Sequence, residues 1–368
     1  MNIEKGLSIA VCTPIYPHSQ SPESGAFVAK LVSELFDSGA NVSIYQPVPY
    51  FKKYHSLRQV GVEVKHPRYI SFSNLYRNRF LFSIYLYLYR LFVLNIYKWP
   101  KMPDLLYGKF LMTGGYLAYL LNKKYGTPYI LDLGESKLLG GLRLGSETIL
   151  AKKIIENAAG VVCVSLRLKN EIVKLGCKED KILLLPNQVD CRRFFKMDKY
   201  KARLTVGLPM DKKIIAFTGH YIERKGPLRV KAALDILGDP YVGIFMGAGF
   251  QVPVGDNVLH TGSVPNEDLP YWLNAADIFV LPTLAEGSCN AVHEAMACGL
   301  PIVTSDIQDM DEFRGMAGVK FVDPLNIDDI VSAIVSVTGC NVNRFHNGEK
   351  SKNRGHSILV WYMNSFIH

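Results

Sequence analysis

Short apolar runs alternate with helix-length amphipathic segments through this chain, and the alternation stops and restarts once. Leu7 to Cys12 reads as a buried strand, halted by Pro14 and Pro17, and a loop rich in Ser, Pro and Gly leads on to Gly25. Phe27, Val28, Leu31, Val32, Leu35 and Phe36 then recur at helical spacing. Gly39 falls where a C-cap glycine belongs, before a second strand at 41–45. Strands are predicted next at 104–107, 128–132, 160–165 and 181–185. After residue 195 the rhythm resumes, with strands at 213–217, 241–246, 257–260, 278–283, 301–305 and 319–322. Helices are predicted between them at 227–237, 266–275 and 288–298. Alternation of this kind builds mostly parallel sheets covered by helices, with ligands taken at the carboxyl ends of the strands. The expectation is an α/β chain of two Rossmann-like, doubly wound domains, 1–192 and 193–345, facing a central cleft. A tail, 346–368, ends in an apolar run (358–367) that reads as a helix able to pack back on the first domain.

Composition agrees with two cores. The chain has 368 residues, 48% hydrophobic and 20% charged, which excludes a disordered polymer. Its seven cysteines show no CxxC spacing, and residues 1–5 lead into a strand rather than a secretory apolar segment. Both features point to a reduced, cytoplasmic protein. The net charge of +9 is confined to residues 1–130, which hold 15 basic and 6 acidic residues; the remaining 27 basic and 27 acidic residues balance. A basic first third suits an anionic partner.

Within it, residues 68–101 interleave bases with aromatics, among them Arg68, Tyr69, Arg77, Arg79, Tyr85, Tyr87, Tyr89, Arg90 and Trp99. The charge-free run from Phe80 to Tyr89 is far short of the ~20 residues that a spanning helix needs. Two readings stand side by side: a helix lying on the inner membrane surface with Tyr and Trp at headgroup level, or a core helix with solvated arginines. No nucleic-acid motif accompanies the stretch, and no nucleic-acid partner is expected.

The densest chemistry lies between Ile278 and Pro301, read as strand, turn, helix, cap and strand. Glu286 falls in the turn and Glu294 eight residues later, about two helical turns down the same side. Backbone N–H groups of Ser288 to Asn290 are expected free at the helix start, where oxygen-rich ligands bind. An isolated pair of this kind is better read as a dipole-complementing acid plus a solvated Glu.

The neighbouring residues change that weighting. Glu286-Gly287 followed by Glu294-Ala295-Met296-Ala297-Cys298-Gly299-Leu300-Pro301 resembles, without gaps, the Glu-x7-Glu signature of the retaining GT-B glycosyltransferases of family 4 (group 1). Phe217 to Gly226 is similar to the family's phosphate-binding strand and loop. Val164-Ser165, Pro186-Asn187 and Val189-Asp190 are similar to the end of its first domain. The opening strand and Gly25-Ala26-Phe27-Val28 resemble the subgroup that builds teichuronic acids, capsules and other bacterial surface polysaccharides.

The resemblance implies a GT-B fold and transfer, with retention, of a sugar from a nucleoside diphosphate sugar to a hydroxyl. The donor would be a UDP-sugar rather than a GDP-sugar, and the acceptor a lipid-linked glycan at the inner face of the membrane. No cofactor and no metal are expected. Lys225 would hold the diphosphate and, with Glu286 and His220, form the reacting centre. Gly219, Arg224, Gly287, Ser288, Cys289, Asn290 and Ala291 would border the donor, Glu294 would hold its ribose, and Gly25 would admit a close ligand. Gly247-Ala248-Gly249 and Gly262-Ser263 would border the nucleotide.

Three positions depart from the family pattern. His220 follows Gly219 where Arg is usual, Leu133 stands where many relatives carry His, and Gln188 replaces the Gly of Asn-Gly-Val-Asp. They motivate an alternative, a non-catalytic nucleotide-sugar-binding or scaffold subunit of a glycan assembly complex. Asp309-Met310-Asp311 reads as a loop rather than a metal-binding DxD, in a place where the family has a glycine-rich turn leading to a Glu, here Glu312. Gly247-Ala248-Gly249 lacks the third glycine of a dinucleotide fingerprint. The scattered histidines show no ligand spacing, and Cys298 reads as a small buried apolar residue.

Overall fold

The computed structural model describes residues 6–19, 25–52, 61–70, 79–96, 99, 101–135, 138, 145–187, 189–338 and 353–366. Two compact units emerge: residues 1–186 with 352–368, and residues 187–351.

In the first unit the strands are β1 (Ser8–Cys12), β2 (Asn41–Tyr45), β3 (Val48–Pro49), β4 (Glu63–Lys65) and β5 (Arg68–Tyr69). They are followed by β6 (Leu105–Lys109), β7 (Tyr129–Leu133), β8 (Gly160–Cys163) and β9 (Ile182–Leu184). Seven of them form one parallel sheet in the order β4-β2-β1-β6-β7-β8-β9, and β3 pairs with β5. Its helices are α1 (Ala26–Asp37), α2 (Arg79–Leu91), α3 (Tyr116–Tyr125), α4 (Gly145–Asn157) and α5 (Leu166–Lys174).

The second unit adds the helices α6 (Lys199–Val206), α7 (Pro227–Leu237), α8 (Leu269–Ala275), α9 (Asn290–Ala297) and α10 (Ile327–Val337). Its sheet is β10 (Lys213–Thr218), β11 (Tyr241–Met246), β12 (Val258–Gly262), β13 (Ile278–Leu281), β14 (Ile302–Ser305) and β15 (Val319–Val322). The order is β12-β11-β10-β13-β14-β15, all parallel. A last helix, α11 (Arg354–Phe366), belongs to the first unit. Both units are therefore doubly wound α/β sheets, the architecture of each half of a GT-B chain. The direction of winding reverses between β1 and β6 in one sheet and between β10 and β13 in the other. Those reversals are where open α/β sheets take ligands.

The chain leaves the first unit at Pro186, ahead of the expected 192/193 boundary, because Val189 and Phe194 are buried in the core of the second. The carboxyl-terminal helix starts at Arg354, well before the apolar run 358–367, and packs on α1 through Ile358, Leu359 and Tyr362. A Cβ on Gly355 would lie 2.8 Å from the backbone nitrogen of Leu35, so only glycine lets the two helices approach this closely. Arg354 anchors this return. Its guanidinium donates to the carbonyls of Leu185 and Pro186 and to Asp132 Oδ1 at 3.2 Å.

Asp132, at the end of β7, is fully buried and also takes Lys109 Nζ at 2.8 Å and the Tyr107 hydroxyl at 2.7 Å. Burial works against its charge, yet Lys109 and Arg354 beside it hold its carboxyl below the usual carboxylate range. Leu133, where the imidazole of many relatives would stand, is a core residue of β7. Two residues on, Glu135 accepts the N–H groups of Leu111 at 2.5 Å and Gly134 at 2.9 Å, and burial raises its carboxyl.

The aromatic stretch resolves in part. Tyr69, Tyr85, Tyr89 and Trp99 pack into the core around Tyr45 and Tyr116, as the core-helix reading has it, while Tyr87 and Arg90 on α2 are exposed. Residues 71–78, Tyr97, Lys98, Ser136 and Gln188 lie outside the described residues. Among the described residues no helix is long and apolar enough to cross a membrane.

Candidate donor site in the second unit

Two loops meet at the reversal between β10 and β13. The first, 219–226, leaves β10 through Gly219, whose φ of 150° is a backbone shape that favours glycine. It closes at Gly226, a left-handed cap on α7 with Pro227 at the first helical position. Tyr221 fixes its middle, donating its hydroxyl to Phe245 O at 2.5 Å and accepting Gly262 N–H at 3.0 Å. Gly247 follows β11, and a Cβ there would sit 1.9 Å from Gly219 O. A Cβ on Gly249 would meet Tyr221 O at 2.4 Å. These glycines accommodate the neighbouring loop's backbone, where the sequence suggested a nucleotide border.

The second loop, 282–289, joins β13 to α9 and is zipped to the first. Leu284 N–H donates to Arg224 O at 2.7 Å, and Arg229 donates to Pro282 O at 2.9 Å. Arg224 in turn donates to Ala285 O. The result is a compact charged centre on Glu286, which is only 5% exposed. Its Oε1 accepts Lys225 Nζ at 2.6 Å and the Thr283 hydroxyl at 2.8 Å, and Arg224 Nη1 lies 3.6 Å from Oε2. Its backbone N–H donates to Asp309 Oδ2 at 2.7 Å. A carboxylate this buried takes two cations and a hydroxyl as partners in place of bulk water.

Of the residues expected here, Lys225, Arg224 and Glu286 come together. His220 is exposed, and its ring has no partner among the described residues. Gly25, in the other unit, caps α1 at φ 76°, where a Cβ would meet the Tyr16 backbone at 3.0 Å. Helix α9 begins only at Asn290, so the Glu286–Glu294 interval is loop plus one helical turn, not two turns of helix. Glu294 is half-buried on α9. Asn290 N–H is already taken by Ser288 O at 3.2 Å, which corrects the expectation that it is free. Among the described residues no acceptor reaches the N–H groups of Gly287, Ser288 or Cys289. Ala291 stands in the first turn of α9. The Cys289 thiol is buried and pushed up to about 12 by that burial and by the Glu286 charge, so it acts as packing. Cys298 is likewise buried, its thiol raised to about 12.

Sequence reasoning missed Thr283 and Asp309. Asp309-Met310-Asp311 is part of a 3-10 helix (Gln308–Phe313), not a loop. Its two carboxylates diverge, Asp309 toward Glu286 and Asp311 onto Arg314 at 3.0 Å. Glu312 Oε2 lies 3.3 Å from His293 Nε2, and His260 packs on Trp272. Among the described residues no group of three His, Cys, Asp or Glu side chains is placed to hold a metal ion.

A family model described as glycosyl transferases group 1 matches residues 212–339, the span of this site. TuaC of Bacillus subtilis, which carries the name of a teichuronic acid biosynthesis glycosyltransferase, is 26% identical over 351 residues, 89% of this chain and 88% of its own. D-inositol 3-phosphate glycosyltransferase 2 of Catenulispora acidiphila is 26% identical over 240 residues, 56% of each chain. Among solved structures, sucrose-phosphate synthase of Thermosynechococcus elongatus superposes with a TM-score of 0.69 at 17% identity, over 98% of this chain and 94% of its own. HepE of Anabaena, solved in complex with UDP, does so with a TM-score of 0.66 at 13% identity, over 98% and 95%.

Proposed function

Because this chain is a glycosyltransferase with a group 1 domain in its second unit and the GT-B architecture, we propose that it transfers a sugar, with retention, from a UDP-sugar to a hydroxyl of a lipid-linked glycan in bacterial surface polysaccharide synthesis. The observation that carries the donor half is the ion pair of Lys225 with buried Glu286, backed by Arg224, at the reversal of a parallel sheet. A bound diphosphate competes with Glu286 for both cations. Lys225, a compact point charge, then stabilises the negative charge that develops on the leaving diphosphate. Once Lys225 turns to the diphosphate, the Glu286 carboxylate accepts hydroxyls of the donor sugar, with the N–H groups of Gly287, Ser288 and Cys289 beside it. Glu294 accepts the ribose hydroxyls. The incoming hydroxyl attacks from the face that the diphosphate leaves and passes its proton to a leaving phosphate oxygen, so the new bond keeps the configuration of the old one.

The lengthwise similarity to TuaC supports the polysaccharide assignment, and the complex of HepE with UDP supports the choice of base. For the acceptor side we propose a peripheral position at the cytoplasmic face of the membrane. The +9 charge confined to the first 130 residues and the exposed Tyr87 and Arg90 on α2 support it.

A thermal-shift panel of nucleotides and nucleotide sugars tests the donor assignment. A ligand at 100-fold its dissociation constant stabilises by about 2.7 kcal/mol, and UDP or a UDP-sugar is the expected responder. Release of UDP from that sugar and NMR of the transferred anomeric centre follow. No shift with any nucleotide rejects the donor site, an inverted anomer rejects retention, and binding without turnover favours the scaffold alternative.

A further inference from the structure

The resembled family has a glycine-rich turn after the strand that corresponds to β14, where this chain carries Asp309-Met310-Asp311. Asp309 is 9% exposed, and its Oδ2 takes the backbone N–H of Glu286 at 2.7 Å. The geometry points to Asp309 as a positioning residue that holds Glu286 in place after the donor has bound, an inference that rests on the donor reading above.

Loop 282–289 is held from two sides. On one side its partners belong to loop 219–226: Leu284 N–H bonds the backbone carbonyl of Arg224, and the cationic side chains of Arg224 and Lys225 donate to Ala285 O and to the Glu286 carboxylate. Those two side chains are the cations that a diphosphate engages, so donor binding draws on the two side-chain ties that hold this loop in the free protein. On the other side the partners come from β14 and the turn after it: Ser305 donates to Thr283 O at 2.6 Å, and Asp309 accepts from Glu286 itself. Neither of these two bonds uses Arg224 or Lys225. Once a diphosphate occupies both cations, the Glu286 backbone keeps the bond to Asp309. A charge-assisted bond to a backbone N–H is directional and short, which suits a carboxylate that must stay on target within a fraction of an ångström.

The role is separable from donor affinity. Asp309→Ala should cut turnover of the nucleotide sugar that wild type uses, read as release of nucleoside diphosphate, about 10- to 100-fold. The dissociation constant for UDP should stay within about twofold. Asp309→Asn keeps an acceptor oxygen and should recover most of the turnover. Hydrogen–deuterium exchange of the unliganded protein gives a readout free of activity: the Glu286 amide should exchange faster in Asp309→Ala, with wild-type-like protection in Asp309→Asn. The proposal is overturned by wild-type turnover in Asp309→Ala, by an equal loss of UDP binding, by an Asn variant no better than Ala, or by unchanged amide exchange. If wild type binds and turns over no nucleotide sugar, the donor reading fails, while the exchange experiment still decides whether Asp309 holds Glu286.

Discussion

Glu286 shows how much of a residue's character comes from its partners. Glu286→Gln keeps the shape but removes the negative charge that Lys225 and Arg224 share. Both cations then meet a diphosphate without competition, so binding of UDP should hold or tighten. Transfer should fall about 100-fold through loss of the carboxylate at the sugar. Calorimetry and steady-state kinetics separate the two, and weaker UDP binding would show that Glu286 supports the diphosphate rather than competing with it. Asp132 makes the corresponding case for stability. Asp132→Ala strands the buried Lys109 and Arg354 side chains without a counter-charge, and about 3–5 kcal/mol should be lost in urea unfolding. The pH sign follows from its depressed carboxyl. Its contribution is fully present above the ordinary Asp value of about 3.9 and is lost as pH falls through the lower folded value. The stability gap between wild type and Asp132→Asn should therefore close on acidification below pH ~4; a gap that widens there reverses the assignment. Thiol labelling checks burial: at neutral pH Cys191 should react, while Cys289 and Cys298, both raised to about 12, should react only on unfolding.

At the scale of elements, the sheets order the chemistry by bringing the loops after β10 and β13 side by side, although 61 positions separate Lys225 from Glu286. Glycines on adjacent loops let this happen. Gly247→Ala would press a Cβ onto Gly219 O and should displace loop 219–226. Weaker UDP binding, with the fold kept by circular dichroism, is the expected result; unchanged affinity would mean that the loop adjusts elsewhere. Strand and helix positions were legible because apolar periodicity sets them: the helix at 227–237 and the strands at 241–246 and 319–322 stand as read. The pairing of Lys225 and Arg224 on Glu286 was legible only through the motif. Asp309 was not, since its partner is a backbone N–H that leaves no trace in spacing. The start of α9 lies later than the sequence predicts because Ser288 and Cys289 belong to the loop ahead of it, Cys289 capping a helix that begins at Asn290.

At the scale of the whole molecule, the chain reads as two doubly wound units, with the terminal helix returned to the first. That return was readable from the apolar run 358–367, but its anchor, Arg354 on Asp132 and on the Leu185 and Pro186 carbonyls, joins residues too distant in sequence to be inferred. Replacing Ile358, fully buried between α11 and α1, by Ala should cost about 2–5 kcal/mol in urea unfolding. The basic first third bears on location: sedimentation with phosphatidylglycerol vesicles should exceed that with phosphatidylcholine vesicles and fall with added salt. The central claim is that Lys225 holds a nucleoside diphosphate beside Glu286, and calorimetric titration of UDP and GDP into wild type and Lys225→Ala tests it most directly. Saturable binding of UDP to wild type, weakened at least about tenfold in Lys225→Ala, or 1.4 kcal/mol, is the predicted result. Absence of saturable binding of either nucleotide to wild type, or equal affinity in the two proteins, would contradict it.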